Sequence, residues 1–189
     1  MTDKHYIDAQ QLLEDAFQLA ANVYRSGFRP SFIAAVWRGG APVGIAIQEL
    51  LAYRGIESDH IAIRTSSYHD IDKQASEVNV YSLNYLVKKI TSSDRLLIVD
   101  DVYDTGRSIE AIIARLKLLT RLNMPEDIRV AVPYYKPTRN KTSRVPDYYL
   151  HETEQWLKFP HSLEGLSIEE VQTHRPELFN ILKTADSLP

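Results

Sequence analysis

The residues able to do chemistry concentrate between Arg95 and Ser108, in Arg-Leu-Leu-Ile-Val-Asp-Asp-Val-Tyr-Asp-Thr-Gly-Arg-Ser. Asp100 and Asp101 are adjacent carboxylates, acceptors suited to sugar hydroxyls or to the water around a hard cation such as Mg2+. The small polar loop Asp104-Thr105-Gly106-Arg107-Ser108 follows, with two hydroxyls for hydrogen bonds and a glycine that lets the backbone approach a ligand. Ahead of the acidic pair, Leu96–Val99 is too short for a helix and branched enough for a strand buried on both faces. Behind the loop, Ile109, Ile112, Ile113, Leu116 and Leu119 recur at helical spacing. Such a layout puts the loop beyond the carboxyl end of a strand, where open parallel sheets bind ligands. It also puts Thr105 to Ser108 at a helix N-terminus, whose N–H groups and partial positive charge suit a phosphate. The stretch reads as a phosphosugar cradle with an acidic lip. The plain alternative is a solvated turn with ordinary caps.

Two other phosphate-handling patterns fit poorly. A signalling receiver domain carries its acidic pair on the first strand and a phosphoacceptor Asp on a later one. Here the pair lies mid-chain, and the later strand expected over Ile128–Tyr134 leads into Tyr and Lys. A P-loop needs a longer glycine-rich run ending Gly-Lys-Ser/Thr, and the chain has none. Val99-Asp-Asp-Val-Tyr-Asp-Thr-Gly-Arg-Ser108, by contrast, closely resembles the phosphoribosyl-pyrophosphate (PRPP) signature of the type I phosphoribosyltransferases. The resemblance implies that Asp100 and Asp101 hold the ribose hydroxyls and Mg2+. It implies that Thr105, Gly106, Arg107 and Ser108 anchor the 5′-phosphate, and that Asp104 is the general base for the purine N7 proton.

A second constellation is Trp37-Arg38-Gly39-Gly40, at the end of one expected strand and the start of a helix. Two glycines there leave backbone N–H groups for an anion, and Arg38 adds a permanently charged fork of donors. The family has its pyrophosphate loop at this place, and a basic residue before Gly-Gly matches its purine-using branch. The resemblance therefore gives Arg38 and Gly39 to pyrophosphate and implies a cis peptide at Trp37–Arg38. It gives Ser67 and Tyr68, with the segment behind them, to a flap that closes over the same group.

The third constellation pairs Lys136 with Trp156. An ammonium can only donate, so in the plane of a base it favours a carbonyl over an amino group, and an aromatic face stacks on a base for about 1–3 kcal/mol. Alone, the two residues read more readily as a solvated loop lysine and a core tryptophan. In the 6-oxopurine phosphoribosyltransferases, however, a Lys after the strand behind the signature helix meets the 6-carbonyl, and an aromatic some twenty positions on stacks on the base. Lys136, Trp156 and Leu157 match in type and order, and resemble the bacterial xanthine–guanine enzymes most. Those enzymes carry an Asp six or seven residues past the aromatic, toward Mg2+ and the purine edge. Here those positions are Ser162 and Leu163, and Glu164 is the substitute on offer.

The elements that must position these residues alternate. A helix is expected from about Asp8 to a glycine stop at Gly27, with Leu12, Leu13, Ala16, Phe17, Ala20, Val23 and Tyr24 on its apolar face. A buried strand follows over Ser31–Val36, a helix over Ala41–Tyr53 and a strand over His60–Arg64. Residues 65–84 break the alternation with a polar, charged stretch and a strand-like Val78–Leu83, read as a flap or hairpin. Beyond the central helix come the strand over Ile128–Tyr134, ended early or placed near an edge by Pro133, and a basic loop over Lys141–Arg144. A last strand is expected over Asp147–Leu150, then an irregular stretch to Pro160. Ser167, with Glu170 three residues on, caps a helical tail that Pro176 breaks or restarts. The reading is one α/β phosphoribosyltransferase domain over residues 1–165 with a mainly parallel sheet flanked by helices. It carries a flap near 65–84, a hood or base-binding segment near 136–165, and a tail over 166–189.

Composition narrows the classes. The 189 residues suffice for one full core, and 44% hydrophobic with 25% charged residues is ordinary for a globular chain. A net charge of −3 gives no electrostatic case for nucleic acid or a membrane surface as partner. The absence of cysteine excludes disulfides, thiolate metal sites and cysteine nucleophiles. No apolar run reaches a transmembrane length and no signal-peptide pattern opens the chain, so a cytoplasmic location is expected. The resemblance then implies a Mg2+-dependent enzyme that takes PRPP and hypoxanthine, guanine or xanthine to a nucleoside monophosphate and pyrophosphate, as a homodimer or homotetramer. Transfer to another acceptor base, or non-catalytic sensing of PRPP or a nucleotide, are the competing classes.

Overall fold

The computed structural model describes residues 4–68 and 77–186. In chain order the elements are β1 (Lys4–Tyr6), α1 (Ala9–Arg25), β2 (Phe32–Trp37), α2 (Gly40–Tyr53), β3 (Asp59–Tyr68), β4 (Glu77–Tyr81) and α3 (Asn84–Lys89). Then follow β5 (Arg95–Val99), β6 (Val102–Tyr103), α4 (Arg107–Thr120), β7 (Asp127–Ala131), β8 (Tyr134–Tyr135), β9 (His151–Glu152), β10 (Trp156–Lys158), α5 (Ile168–His174) and α6 (Pro176–Asp186). Two compact units emerge. One is Gln10–Glu154, and the other joins Met1–Ala9 to Gln155–Pro189.

The larger unit is built on a five-stranded sheet in the order β4-β3-β2-β5-β7, parallel except for β4. The apolar run Leu96–Val99 forms its inner strand, hydrogen-bonded to β2 on one side and β7 on the other and wholly shielded from solvent. Strand alternation divides the core. Phe32, Ala34, Val36, Leu96, Ile98 and Val130 pack with Leu86 of α3 and with Ile109, Ile112 and Leu116 of α4. The opposite residues of β2 face α2, where Gly44 lies so close to Ala35 that an added Cβ would stand 2.8 Å from the Ala35 Cβ. Helices therefore cover both faces, as a buried parallel sheet requires. A small parallel sheet, β6-β8-β9, pairs Tyr103 with Tyr135 and Tyr134 with His151.

Several expectations shift. The strand read over Ile128–Tyr134 breaks after Ala131, because Pro133 has no N–H to donate, and the chain resumes as β8 in the other sheet. No strand forms over Asp147–Leu150. An isolated parallel bridge of Tyr148 to Ala131 stands in its place: the Asp147 and Tyr148 amides both donate to the Val130 carbonyl (2.9 and 3.0 Å), the Val132 amide donates to the Tyr148 carbonyl (3.0 Å), and the Asp147 carboxylate accepts from the Val130 amide. The stretch taken as irregular holds β9 and β10. Thr65–Tyr68 continues β3 and pairs antiparallel with β4, and Val78–Leu83 is realised as β4 followed by a turn at Ser82 into α3. Residues 69–76, the middle of the expected flap, lie outside the described residues.

In the smaller unit β1 and β10 form a two-stranded parallel sheet, with Lys4 opposite Trp156 and Tyr6 opposite Lys158. Ser167 caps α5 in a full capping box with Glu170, and Pro176 opens α6, where a first-turn proline fits. The Tyr6 and His174 rings stack at 3.7 Å. Among the described residues no helix is long and apolar enough to cross a membrane.

Candidate active site

The acidic lip forms where β5 stops. The Asp100 amide still reaches the Ala131 carbonyl (3.2 Å), and the Asp101 amide turns onto the Asp100 carboxylate (2.9 Å). Burial, and then the neighbouring Asp101 charge, push the Asp100 carboxyl well above the usual carboxylate range. Gly39 is what makes room for its neighbour, since a Cβ there would fall inside the Asp101 carboxylate. The loop expected to bind pyrophosphate thus touches the acidic pair directly. The Trp37–Arg38 peptide is cis, as the resemblance implies, and Arg38 is exposed. The Gly40 backbone N–H acts on the Asp100 carboxyl in the opposite direction to burial and Asp101, lowering it.

The loop expected to hold the 5′-phosphate runs directly into α4. Gly106 precedes the helix at φ +77°, a left-handed conformation that a side chain would strain. A Cβ there would also collide with the Tyr103 hydroxyl and Thr142 Oγ1, at 2.6 and 2.7 Å. Tyr103 is buried, and its hydroxyl meets Thr142 Oγ1 (3.0 Å) and the Arg144 carbonyl (3.1 Å). Asn140 completes the brace, accepting from the Thr142 amide (2.9 Å) and donating to the Arg144 carbonyl (2.8 Å). Thr105 and Ser108 are half-buried and Arg107 is exposed.

Asp104 does not cap α4. The helix has no side-chain cap, and the Asp104 carboxylate points to two cations instead. Arg139 Nε donates to Oδ1 at 2.6 Å, and Lys136 Nζ stands 3.6 Å from Oδ2. Lys136 is 5% exposed, rare for an ammonium, and is brought there by the β6–β8 pairing, with its amide on the Tyr103 carbonyl (2.9 Å).

Trp156 and Leu157 lie on β10 of the smaller unit, where Trp156 is 49% exposed and Leu157 half-buried. Lys158 Nζ is 5.7 Å from the centre of the Trp156 ring and donates to the Glu164 carbonyl (2.8 Å). Ser67 and Tyr68 end β3, and their side chains lie outside the described residues. Among the described residues, no group of three or more His, Cys, Asp or Glu gathers into a ready-made metal cage. The two carboxylates of Asp100 and Asp101 nevertheless suit Mg2+. They are hard oxygen donors whose mutual repulsion a cation would relieve, and Mg2+ characteristically takes its remaining ligands from substrate oxygens and water.

Sequence reasoning missed Arg139, the Tyr103–Asn140–Thr142 brace and the fit of Gly39 to Asp101. The first has a faint signal, a second cation three residues after Lys136. The others depend on long-range contacts that spacing does not carry.

Comparison with known proteins agrees with this geometry. Residues 4–168 match the family model described as the phosphoribosyl transferase domain. No curated protein matches the chain. Among solved structures, a purine phosphoribosyltransferase from Pyrococcus horikoshii Ot3 is 28% identical with a TM-score of 0.70, over 87% of this chain and 97% of that one. A hypothetical protein from Neisseria gonorrhoeae with bound ppGpp (18%, TM-score 0.67, 96% and 98% covered) shares the fold. So does a xanthine-guanine-hypoxanthine phosphoribosyltransferase from Helicobacter pylori (18%, TM-score 0.62, 94% and 99% covered). With the signature loop, the acidic pair and the sheet order all in place, the chain belongs to the type I phosphoribosyltransferase family.

Proposed function

We propose that the protein is a purine phosphoribosyltransferase that transfers the phosphoribosyl group of PRPP to a 6-oxopurine. One observation carries the choice of base: Lys136 Nζ and Asp104 Oδ2 stand 3.6 Å apart, a donor beside an acceptor. A purine presents N7 and its 6-substituent side by side on one edge. With a 6-oxo group and a proton on N7, that edge offers an acceptor beside a donor, the complement of the pair. Adenine would bring an amino donor against an ammonium that can only donate.

In the reaction, purine N9 forms a bond to C1 of PRPP as the C1–O bond to pyrophosphate breaks, with inversion. The electron pair leaves with pyrophosphate, and the N7 proton passes to the Asp104 carboxylate. Thr105 to Ser108 hold the 5′-phosphate at the α4 N-terminus, so binding energy remote from the reaction places C1 for attack. Asp100 and Asp101 orient the ribose hydroxyls and would hold Mg2+, which when bound offsets the charge growing on pyrophosphate. Arg38 and Gly39 serve the same anion, with Ser67 and Tyr68 closing over it. The Trp156 face with Leu157 stacks on the base, and Glu164 stands in for the family Asp near metal and purine, both on the strength of the resemblance. A homodimer or homotetramer in the cytoplasm fits the same family reading.

Pyrophosphate release with PRPP, Mg2+ and each base in turn tests this, with Asp104→Asn as control. Turnover of hypoxanthine, guanine or xanthine, slowed about 10²–10⁴-fold in the variant, is expected. Turnover of adenine, uracil or orotate alone would reassign the acceptor. Tight binding of PRPP or a nucleotide, ppGpp included, without turnover of any base would replace the enzyme with a sensor.

A further inference from the structure

An exposed ion pair normally contributes little, and Arg139 with its side chain 48% exposed would pass for one. Its backbone setting says otherwise. The segment 136–141 is fastened at both ends to the residues flanking Asp104. The Lys136 amide donates to the Tyr103 carbonyl (2.9 Å), and the Lys141 amide donates to the Thr105 carbonyl (3.0 Å). Between these two anchors the chain makes a 3-10 turn over Pro137–Arg139, closed by the Arg139 amide on the Lys136 carbonyl (3.2 Å). Pro137 fixes the first residue of the turn, and the Thr138 amide is tied to the Glu154 carboxylate (3.1 Å). Arg139 therefore leaves a fixed backbone directly beside Asp104, and it is the rigid Nε–H, not a swinging terminal nitrogen, that reaches Oδ1 at 2.6 Å.

A carboxylate on one single bond to its Cβ spins through a broad, roughly two-fold well, so a proton acceptor needs something to stop it. Lys136 does not do so, because at 3.6 Å from Oδ2 it is beyond hydrogen-bond range. We infer that Arg139 is a positioning residue for the transfer reaction: it pins Oδ1 of Asp104 and so holds Oδ2 beside Lys136, facing the proton on the incoming purine. This rests on the proposed purine-transferase reading and assigns Arg139 no contact with PRPP.

The test is a double-mutant cycle of Arg139→Met with Asp104→Asn, measured as kcat and as KM for PRPP and for the best 6-oxopurine. Arg139→Gln serves as a second probe of the same side chain. Each Arg139 variant is expected to lose about 10²-fold in kcat, the scale of a misplaced catalytic group, with KM for PRPP within about twofold of wild type. In the Asp104→Asn background the same changes should cost less than about twofold, because the carboxylate they orient is gone. Full kcat in the Arg139 variants would overturn the inference, as would losses that multiply with Asp104→Asn, or a raised KM for PRPP at unchanged kcat. The purine-transferase reading would survive each of these. Failure of the wild-type protein to turn over any base would overturn that reading, and the inference with it.

Discussion

Gly39 and Gly40 are adjacent and both close-packed, yet the structure predicts opposite consequences for adding one methyl group to each. At Gly39 the new Cβ would land on the Asp101 carboxylate, the free end of a short side chain. That end can rotate away at the cost of an altered rotamer, about 0.5–1.5 kcal/mol if it settles off its preferred angle. At Gly40 the Cβ would run into the Val99 carbonyl and stand 2.9 Å from the Asp100 Cα, backbone of the last residue of the inner strand β5 and of the residue after it. Backbone can yield only by moving the strand, and such overpacking costs about 1–3 kcal/mol. For a chain of this size that corresponds to a fall in melting temperature of about 2–12 °C. Gly39→Ala should therefore melt within about 5 °C of wild type, because only a side chain moves. Its kcat/KM for PRPP should drop by about 10²-fold, since in the proposed reaction Asp101 would no longer stand where ribose and Mg2+ need it. Gly40→Ala should show the larger loss of stability. Thermal melts and initial rates at saturating base measure both quantities. A Gly39→Ala protein with wild-type kcat/KM for PRPP would refute the argument, because it would show that the position of Asp101 does not matter to the reaction.

Other consequences follow from single contacts. Tyr103→Phe removes hydrogen bonds to the Thr142 hydroxyl and the Arg144 carbonyl, but Asn140 still partners both, so the cost should be about 0.5–1.5 kcal/mol and the fall in melting temperature about 1–6 °C. Leu116→Ala empties space between α4 and the sheet, and chemical denaturation should report a loss of about 2–5 kcal/mol. In the smaller unit, hydrogen bonds from Lys4 and from the Ser167 amide hold the Glu170 carboxyl down at about 2. Its folded value lies below the ordinary one of 4.5, so its stabilisation is full above about pH 4.5 and is lost as pH falls toward 2. Glu170→Gln should flatten that acid dependence in an acid titration followed by circular dichroism. An unchanged titration would show that the Lys4–Glu170–Ser167 cluster does not hold the unit together.

Much of this site was legible because its determinants are contiguous. Leu96–Val99 reads as a strand buried on both faces, and it is one; Gly106 reads as the start of a helix, and it is the residue before α4. Ser167 and Glu170 state their capping box outright. Features made by distant residues left no pattern. The parallel pairing of Lys4–Tyr6 with Trp156–Lys158 joins two three-residue strands, each too short for alternation to appear. The strand expected over Asp147–Leu150 shrinks to a single bridge of Tyr148 to Ala131, with the Asp147 carboxylate on the Val130 amide, and strand pairing resumes at His151. Arg139 meets Asp104 only through the fold, across 35 positions of sequence.

In the proposed reaction the Lys136–Asp104 pair reads the purine edge. The decisive measurement is the ratio of kcat/KM for hypoxanthine over adenine, in the wild-type protein and in Lys136→Met, which fills the same buried space without a donor. We predict a wild-type ratio on the order of 10³ or more, since a site built around a hydrogen bond rejects the analogue that cannot make it. In Lys136→Met it should collapse to within about tenfold of unity, because the donor that made the distinction is gone. A wild-type protein that uses adenine as well as hypoxanthine, or a preference that survives the substitution, would contradict the central claim.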